Sequence, residues 1–550
     1  VKLLWRLLVC CITAVAAFGS VMAPARAAPV ALPVPVTAGA LPTPQTDGIV
    51  LSVAIVGNTV YAGGRFQKAR PAGVAPGGAG EVTRTNLLAF DLTSGALLPW
   101  APKVDNPTTS TTNPGGFCRP VTGGLYICDS VFRIKKSPDG ASIYVGGDFT
   151  RVNDQTRGRI AKFTTASGVL DTTFTPQFTN QVRGISVTAD TVYVGGAFSQ
   201  VNGVNRSRLA AFTTTGTLKP WAPVADGAIY ALQAAPAQGR VLLGGSFATV
   251  NGVTHHAMMS VDATTGANAP WASTVPAETD VVTDIATDGV NTAFYSAFDY
   301  NGPPVRFEGR AAFDIATGTA HWWDGCYGDT EAIAVAGNIL YSASHTDDCT
   351  AVGAVIPPSD GSVRYYRLLA ETTAATGTAT TASNHLAVGD PVPTILPWFP
   401  TVNSGPPDSP SQNGPWSIDA TSSYVVTGGE FTTVNGAAQQ SLARFAARGV
   451  AGAINNGPQT PFRAPTLTRD GTGAPVITWT ATWSAQTSDI RYEVVRTGTA
   501  QPIYTVSRSS RPWDLPQLTY TDLQATAGSY RIRAVDTDGT AISSPTSTLN

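Results

Sequence analysis

Aromatic rings and carboxylates crowd into one short stretch of this 550-residue chain, at His321, Trp323, Tyr327, Asp329 and Glu331. Rings beside carboxylates suit a sugar or a peptide, since the ring meets an apolar face while the carboxylate accepts hydroxyl or amide hydrogens. Arg183, Asp226 and Asp280, like Asp329 and Glu331, precede or enter strand-like segments. Two such carboxyls about 5–10 Å apart, one with a raised pKa, would equip a glycoside hydrolase with acid and base.

No nucleophile motif, sialidase-type Asp box or repeated histidine set accompanies these residues. The chain holds five histidines, and the His255-His256 pair stands alone. No catalytic residue, metal or cofactor is therefore expected. Cys118, Cys128, Cys326 and Cys349 fall into two local pairs, which in an oxidising compartment predicts Cys118–Cys128 and Cys326–Cys349 disulfides. Three pairings are formally open. A zinc site is the sharper alternative, but neither pair has CxxC spacing and no histidine pattern accompanies them.

Residues 1–28 have the form of an export signal. Lys2 and Arg6 precede the apolar run Leu7–Val21, and Ala25-Arg26-Ala27 offers small residues for cleavage. Losing Lys2, Arg6 and Arg26 moves the formal charge from −2 to −5. The chain has no basic stripe for nucleic acid and no second apolar run long enough to enter a membrane. A secreted, extracellular protein is expected, with an extracellular polysaccharide or a surface protein as the partner.

The elements that must position these residues come from a repeat. Val60-Tyr-Ala-Gly-Gly-Arg-Phe66 returns at Ile143–Phe149, Val192–Phe198, Val241–Phe247 and Val425–Phe431, with degenerate copies at Tyr295–Phe298 and Tyr341–Ser344. The anchors 66, 149, 198, 247, 298, 344 and 431 are spaced by 83, 49, 49, 51, 46 and 87. The two long gaps read as inserts rich in proline, serine and threonine rather than as further strands. Each unit carries four strand-like pieces, in the fourth unit Ile229–Ala234, Arg240–Phe247, Ala257–Asp262 and Asn268–Ala272. Seven units of four antiparallel strands describe the blades of a propeller. A solenoid is the alternative, but the meander favours a closed ring.

Repeated residues have structural explanations first. The Gly-Gly pair admits a neighbour at close range, and the Phe after it packs between blades. Asn202-Gly203, Asn251-Gly252, Asn301-Gly302 and Asn435-Gly436 suit turns of positive φ. Asp91, Asp262 and Asp314 can accept N–H bonds across their turns, and Trp100, Trp221, Trp271, Trp322 and Trp398 can fill seams. Functional residues tend to break the period.

The run Tyr193-Val-Gly-Gly-Ala-Phe-Ser-Gln-Val-Asn-Gly203, Arg208-Leu-Ala-Ala-Phe212 and Pro220-Trp221 resembles the delta-60-type repeat of secreted bacterial β-propellers, over roughly residues 47–447. The resemblance implies an extracellular propeller and carries no reaction. Ala312–Trp322 is similar, more weakly, to the tryptophan-docking motif of quinoprotein dehydrogenases, taken here as a shared packing solution; a quinone-dependent oxidoreductase is a distant third possibility. Residues 465–550 resemble a fibronectin type III domain, with Trp483 as the core tryptophan, Tyr492 opening a central strand and Tyr530 at the tyrosine corner. Asp536-Thr-Asp538-Gly539 reads as a hairpin turn rather than a calcium loop.

The expected fold is therefore all-β: signal 1–28, an N-terminal segment 29–46 whose Val30–Val36 closes the ring, a seven-bladed β-propeller 47–454 of four-stranded antiparallel blades, a linker 455–464 and a fibronectin type III β-sandwich 465–550. Long loops share one face, and Arg183, Asp226, Asp280, Asp329 and Glu331 should lie near its channel, with His321, Trp323 and Tyr327 in the least regular blade. Binding or scaffolding is the expected function, with an extracellular glycan hydrolase using channel carboxylates as the alternative.

Overall fold

Short β-branched and aromatic runs punctuated by Gly, Asn and Pro can pair only as brief antiparallel strands. The computed structural model describes residues 31–550 apart from 114–115, 277–278, 300–306, 384, 408 and 410. The expected signal 1–28 and the Asn301-Gly302 turn lie outside the described residues.

Among the described residues, seven sheets repeat one plan of three consecutive antiparallel strands. Sheet one is Ile49–Val56, Thr59–Arg65 and Leu87–Asp91. Sheet two is Val131–Lys136, Ser142–Gly147 and Ile160–Thr164, and sheet three is Val182–Val187, Thr191–Gly196 and Leu209–Thr213. Sheet four is Ile229–Ala235, Arg240–Gly245 and Met258–Asp262. Sheet five is Asp280–Thr287, Thr292–Asp299, Gly309–Asp314 and a fourth strand, Ala320–Trp323. Sheet six is Thr330–Ala336, Ile339–Thr346 and Tyr366–Thr372, and sheet seven is Pro415–Ala420, Tyr424–Gly429 and Leu442–Ala446. Each first strand touches the first strand of the next sheet, and that of sheet seven touches that of sheet one, so the contacts run in a ring.

The expectation of four strands per unit needs correction. Only sheet five has a full fourth strand among the described residues. Elsewhere the last piece is a single bridge, such as Phe90 with Leu97, Phe163 with Leu170 or Val261 with Asn268. The first long insert also differs from expectation, because Thr109–Ser110, Arg119–Val121 and Leu125–Ile127 form a small sheet of their own. Its base carries the Cys118–Cys128 disulfide, and Cys326 pairs with Cys349.

The Gly-Gly pair is explained by what a side chain would strike. A Cβ on Gly63, Gly146 or Gly195 would lie 2.5, 2.6 and 2.5 Å from Val131, Val182 and Ile229 of the next sheet. The second glycine faces its own sheet, and a Cβ on Gly196 would overlap the Gln181 carbonyl oxygen. Glycine here sets both the spacing between sheets and the pairing within one. Tryptophans fill the seams as expected: Trp100 packs edge-on between Tyr61 and Phe163, 5.1 and 5.3 Å away, and donates to the Gly168 carbonyl.

The ends of the chain meet. Thr37 donates its N–H to the Ala446 carbonyl and Leu41 to that of Arg444, so Thr37–Leu41 lies along the third strand of sheet seven. This segment, rather than the expected Val30–Val36, makes the contact; Val30 lies outside the described residues. Two further sheets, one of three and one of five strands, follow from Thr466 to Leu549. Trp479, not Trp483, is buried in their core beside Tyr492. Trp483 packs instead against the buried clusters of sheets six and seven, because the turn after the strand Pro475–Thr480 faces them. Tyr530 is fully buried, with its hydroxyl 3.0 Å from Asp522 Oδ2. Residues 33–550 form a single compact unit. Residues 455–464 do not hang free in it: Asn456 N–H donates to Gln486 and Gln459 N–H to the Trp483 carbonyl, while Arg448 forks onto Asp538.

Candidate functional site at the channel mouth

Every first strand skips one residue in its pairing with the second, at the same place in each sheet. The skipped residues are Leu51, Phe132, Arg183, Tyr230, Thr283, Glu331 and Trp416. A bulge re-aims a side chain and strengthens the local twist, and several of these residues converge. Arg183 lies over the ring of Phe132 at 4.1 Å and that of Tyr230 at 5.4 Å. Phe117, from the disulfide-clipped insert, packs edge-on against Phe132 and Trp416 at 5.9 and 5.2 Å.

Below this lid the channel is crossed by Arg133. Its guanidinium reaches from sheet two to the Arg183, Tyr230 and Thr283 carbonyls and pairs with Asp284 of sheet five at 3.1 Å. Asp284 and Asp419 also accept the N–H groups of Ile333 and Ile55 in the following sheets. These polar side chains tie first strands to one another, and they fill the axis.

The residues expected at the site divide. Arg183 and Glu331 occupy bulges. Asp226 is exposed and accepts the Ala248 and Thr249 N–H groups, which makes it a holder of its own loop. Asp280 is buried and accepts the N–H of Phe307. His321 is exposed on the outermost strand of sheet five near Asp314, apart from the others. Trp323 is wedged between Phe307 and Phe313, 4.9 and 5.2 Å away. Tyr327 joins Asp348 through its backbone and Ser383 through its hydroxyl at 3.0 Å. The structure thus groups Tyr327, Asp329 and Glu331, and leaves Asp226 and His321 elsewhere.

Sheets five and six depart from the repeat in a way that spacing concealed. Pairing registers place Asp299 and Thr346, not Phe298 and Ser344, opposite the anchor phenylalanines of other sheets. The same registers put Arg310 where Leu87, Ile160, Leu209, Met258, Leu368 and Leu442 stand, and Glu371 where Phe90, Phe163, Phe212 and Phe445 stand. Arg310 is 1% exposed; its Nε lies 2.8 Å from Asp324 Oδ2 and 3.2 Å from Glu371 Oε1, and its Nη1 donates to Thr330 and Thr346. A charged group so placed must be paired to be tolerated.

Next to this core lies an acidic rim. Burial, helped by Glu308, Asp299 and Asp347, pushes the Asp329 carboxyl up to about 7. Burial and Asp329 push Glu331 up to about 8, against the hydrogen bond from Asn413. Glu308, which accepts the Gly328 N–H, is also raised by burial. His345, 3.7 Å from Asp329, is lowered to about 4 by burial and by Arg367.

These shifts set a direction for stability. Unfolded, the carboxyls ionise near pH 4, whereas in the fold Asp329 and Glu331 keep their protons until about 7 and 8. Between those limits each pH unit favours the unfolded chain by about 1.4 kcal/mol per group. The stabilisation is complete below pH 4 and is lost as pH rises through 7 and 8. Melting temperature is expected to fall by several degrees from pH 5 to pH 9, and Glu331→Gln should flatten that fall. A level profile in both proteins would contradict the assignment.

Comparison with known proteins agrees with the architecture. Residues 138–174 and 190–218 match the family described as a domain of unknown function (DUF5122) beta-propeller. The chain is a β-propeller protein. No curated protein matches the chain. Among solved structures, the computationally designed Ika8 protein is similar at 14% identity, covering 74% of this chain and 98% of its own, with a TM-score of 0.38. The Dos1 propeller is similar at 9% identity, covering 74% and 95%, with a TM-score of 0.34.

Proposed function

We propose that this is a secreted binding protein: a seven-bladed β-propeller joined to a fibronectin type III-like sandwich, holding an extracellular saccharide or protein ligand at the channel mouth beside sheets five and six. The observation that carries the reading is the break in the repeat. Asp299, Thr346, Arg310 and Glu371 replace side chains that the other sheets bury as apolar packing, and the partly buried carboxyl of Asp329 and the buried one of Glu331 adjoin them. Polar groups at such positions cost stability, and strained departures from a regular scaffold cluster where something is bound. Two disulfides and paired chain ends fit a protein that works outside the cell.

One observation favours a hydrolase instead, since a carboxyl held near 7 suits a general acid. Such an enzyme also needs an ionised partner. Glu331, the nearest in sequence, is itself held protonated and bonded to Asn413, which makes this the weaker reading.

The secreted full chain, titrated against neutral, amino-bearing and acidic polysaccharides and against cell-surface proteins, tests both. Retention without release of reducing ends is expected, weakened about tenfold by Asp329→Asn with no fall in melting temperature. Binding to nothing in the panel defeats the binding reading. Release of reducing ends, abolished by Asp329→Asn, would replace it with the hydrolase.

A further inference from the structure

We infer that the ligand surface continues outward from the mouth into a groove shared by the long loop of sheet six and the C-terminal sheets, and that this groove takes a neutral or amino-bearing oligosaccharide. The inference rests on the ligand-binding reading above and names its chemical class.

The groove consists of two confluent hollows. One, of about 240 Å³, is bordered by Tyr327 and Asp348; the other, of about 430 Å³, by Tyr366 and Trp513. They share Asp347, Pro357, Pro358 and Arg364. The combined size is that of a small-ligand cleft, too confined for a folded partner.

Its walls are held in place from both ends. The Cys326–Cys349 disulfide clips the segment that leads into Tyr327 to the start of the loop. At the far end Arg364 donates to the Pro512 carbonyl, and Trp513 is gripped edge-on by Tyr366 and Phe399 at 5.7 and 5.3 Å. A binding surface with its ring already fixed loses little ordering entropy when it is filled. The loop meanwhile leaves Ile356, Val363 and Tyr365 exposed at 45%, 60% and 44%. Ile356 and Val363 line the hollows, whereas Tyr365 is engaged by His345 and Arg367, so the two aliphatic side chains are apolar surface that the loop offers to a ligand.

The lining selects the ligand. Proline and aromatic surface alternates with carboxylates, which matches the alternation of C–H faces and hydroxyls on a sugar chain. Asp348 and Asp360 each spend one oxygen on their own loop, through the Thr350 and Ser362 N–H groups, and the other oxygen can accept from a ligand hydroxyl or ammonium. Asp347, Asp348 and Asp360 outnumber Arg364, whose Nη1 already serves Pro512. The excess of negative charge repels uronic or sulfated glycans and attracts an ammonium. Burial and Asp348 also raise the Asp347 carboxyl, and a nearby ammonium would return it to the ionised form.

Calorimetric titration of the full chain with cellohexaose, a glucosamine hexamer and polygalacturonate is the test. The first two are expected to bind, the glucosamine hexamer more tightly and with salt sensitivity, and polygalacturonate not at all. Asp348→Asn with Asp360→Asn should weaken the glucosamine hexamer five- to tenfold with melting unchanged, and Trp513→Leu should weaken both ligands. Saccharide binding that ignores these changes yet falls with Asp329→Asn confines the ligand to the mouth and overturns the groove. Binding of a protein but of no saccharide overturns it as well, while the binding reading survives. Binding of nothing ends both.

Discussion

Arg310→Leu is expected to destabilise the protein by about 3–5 kcal/mol, although leucine is what four other sheets carry at that position. The substitution would leave Asp324 and Glu371 buried without their counter-ion, which costs more than the better packing returns. Asp324 is fully buried and Glu371 is 2% exposed, so neither can recover by hydration. Both carboxyls are already raised by burial, and they can escape part of the cost by keeping protons. The loss should therefore be larger at pH 8 than at pH 5. A triple variant, Arg310→Leu with Asp324→Asn and Glu371→Gln, should recover part of it, because it removes both stranded charges, while the amide oxygen at 324 can replace only one of the two carboxylate oxygens that accept the Cys326 and Arg310 N–H groups. Denaturant unfolding at the two pH values measures all three quantities. A single variant as stable as the parent would mean that the ionic core carries no weight.

Gly196→Ala should be at least as damaging. The added methyl would be driven into the Gln181 carbonyl oxygen, which is backbone and cannot swing aside. To accommodate it, the first two strands of sheet three must separate, and the contact of Gly195 with Ile229 of sheet four would go with them. A loss of about 4 kcal/mol or more is expected, the range reserved for specific structural faults. Gly203→Ala is the comparison. Its φ of +77° is strained for alanine, but nothing lies within 4 Å of the new atom, so about 1 kcal/mol is expected. Comparable losses at the two positions would show that backbone freedom, not close approach, explains the pair.

The repeat was legible because its cause is local and identical each time: two glycines, an aromatic anchor and a turn asparagine recur together. The disulfides were legible for a similar reason, each linking cysteines close in sequence. The bulges were not, because a skipped pairing partner leaves no residue type in common; leucine, arginine and tryptophan all occupy it. Arg133 carries no signal of the repeat and stands beside Lys135 and Lys136, yet it spans the channel. Aligning sheets five and six by their anchors placed Phe298 and Ser344 one and two residues early. That slip hid Asp299 and Thr346, and with them the fact that Arg310 and Glu371 stand at apolar positions. A pattern search tolerant of polar substitution at the anchor could have found them. Asp226 misled for the opposite reason: a carboxylate before a strand can serve its own loop as readily as a ligand.

Trp483 shows where a family resemblance runs out. As the core tryptophan of an independent sandwich it would have implied a detachable module. Turned toward sheets six and seven, it makes the C-terminal sheets part of the same body as the ring.

The pairing of Thr37–Leu41 with Arg444–Ala446 also constrains the order of events during synthesis. A ribosome completes the first partner some four hundred residues before the second, so the circle stays open through most of translation. The last contact, between Leu41 and Arg444, forms only when sheet seven has been made.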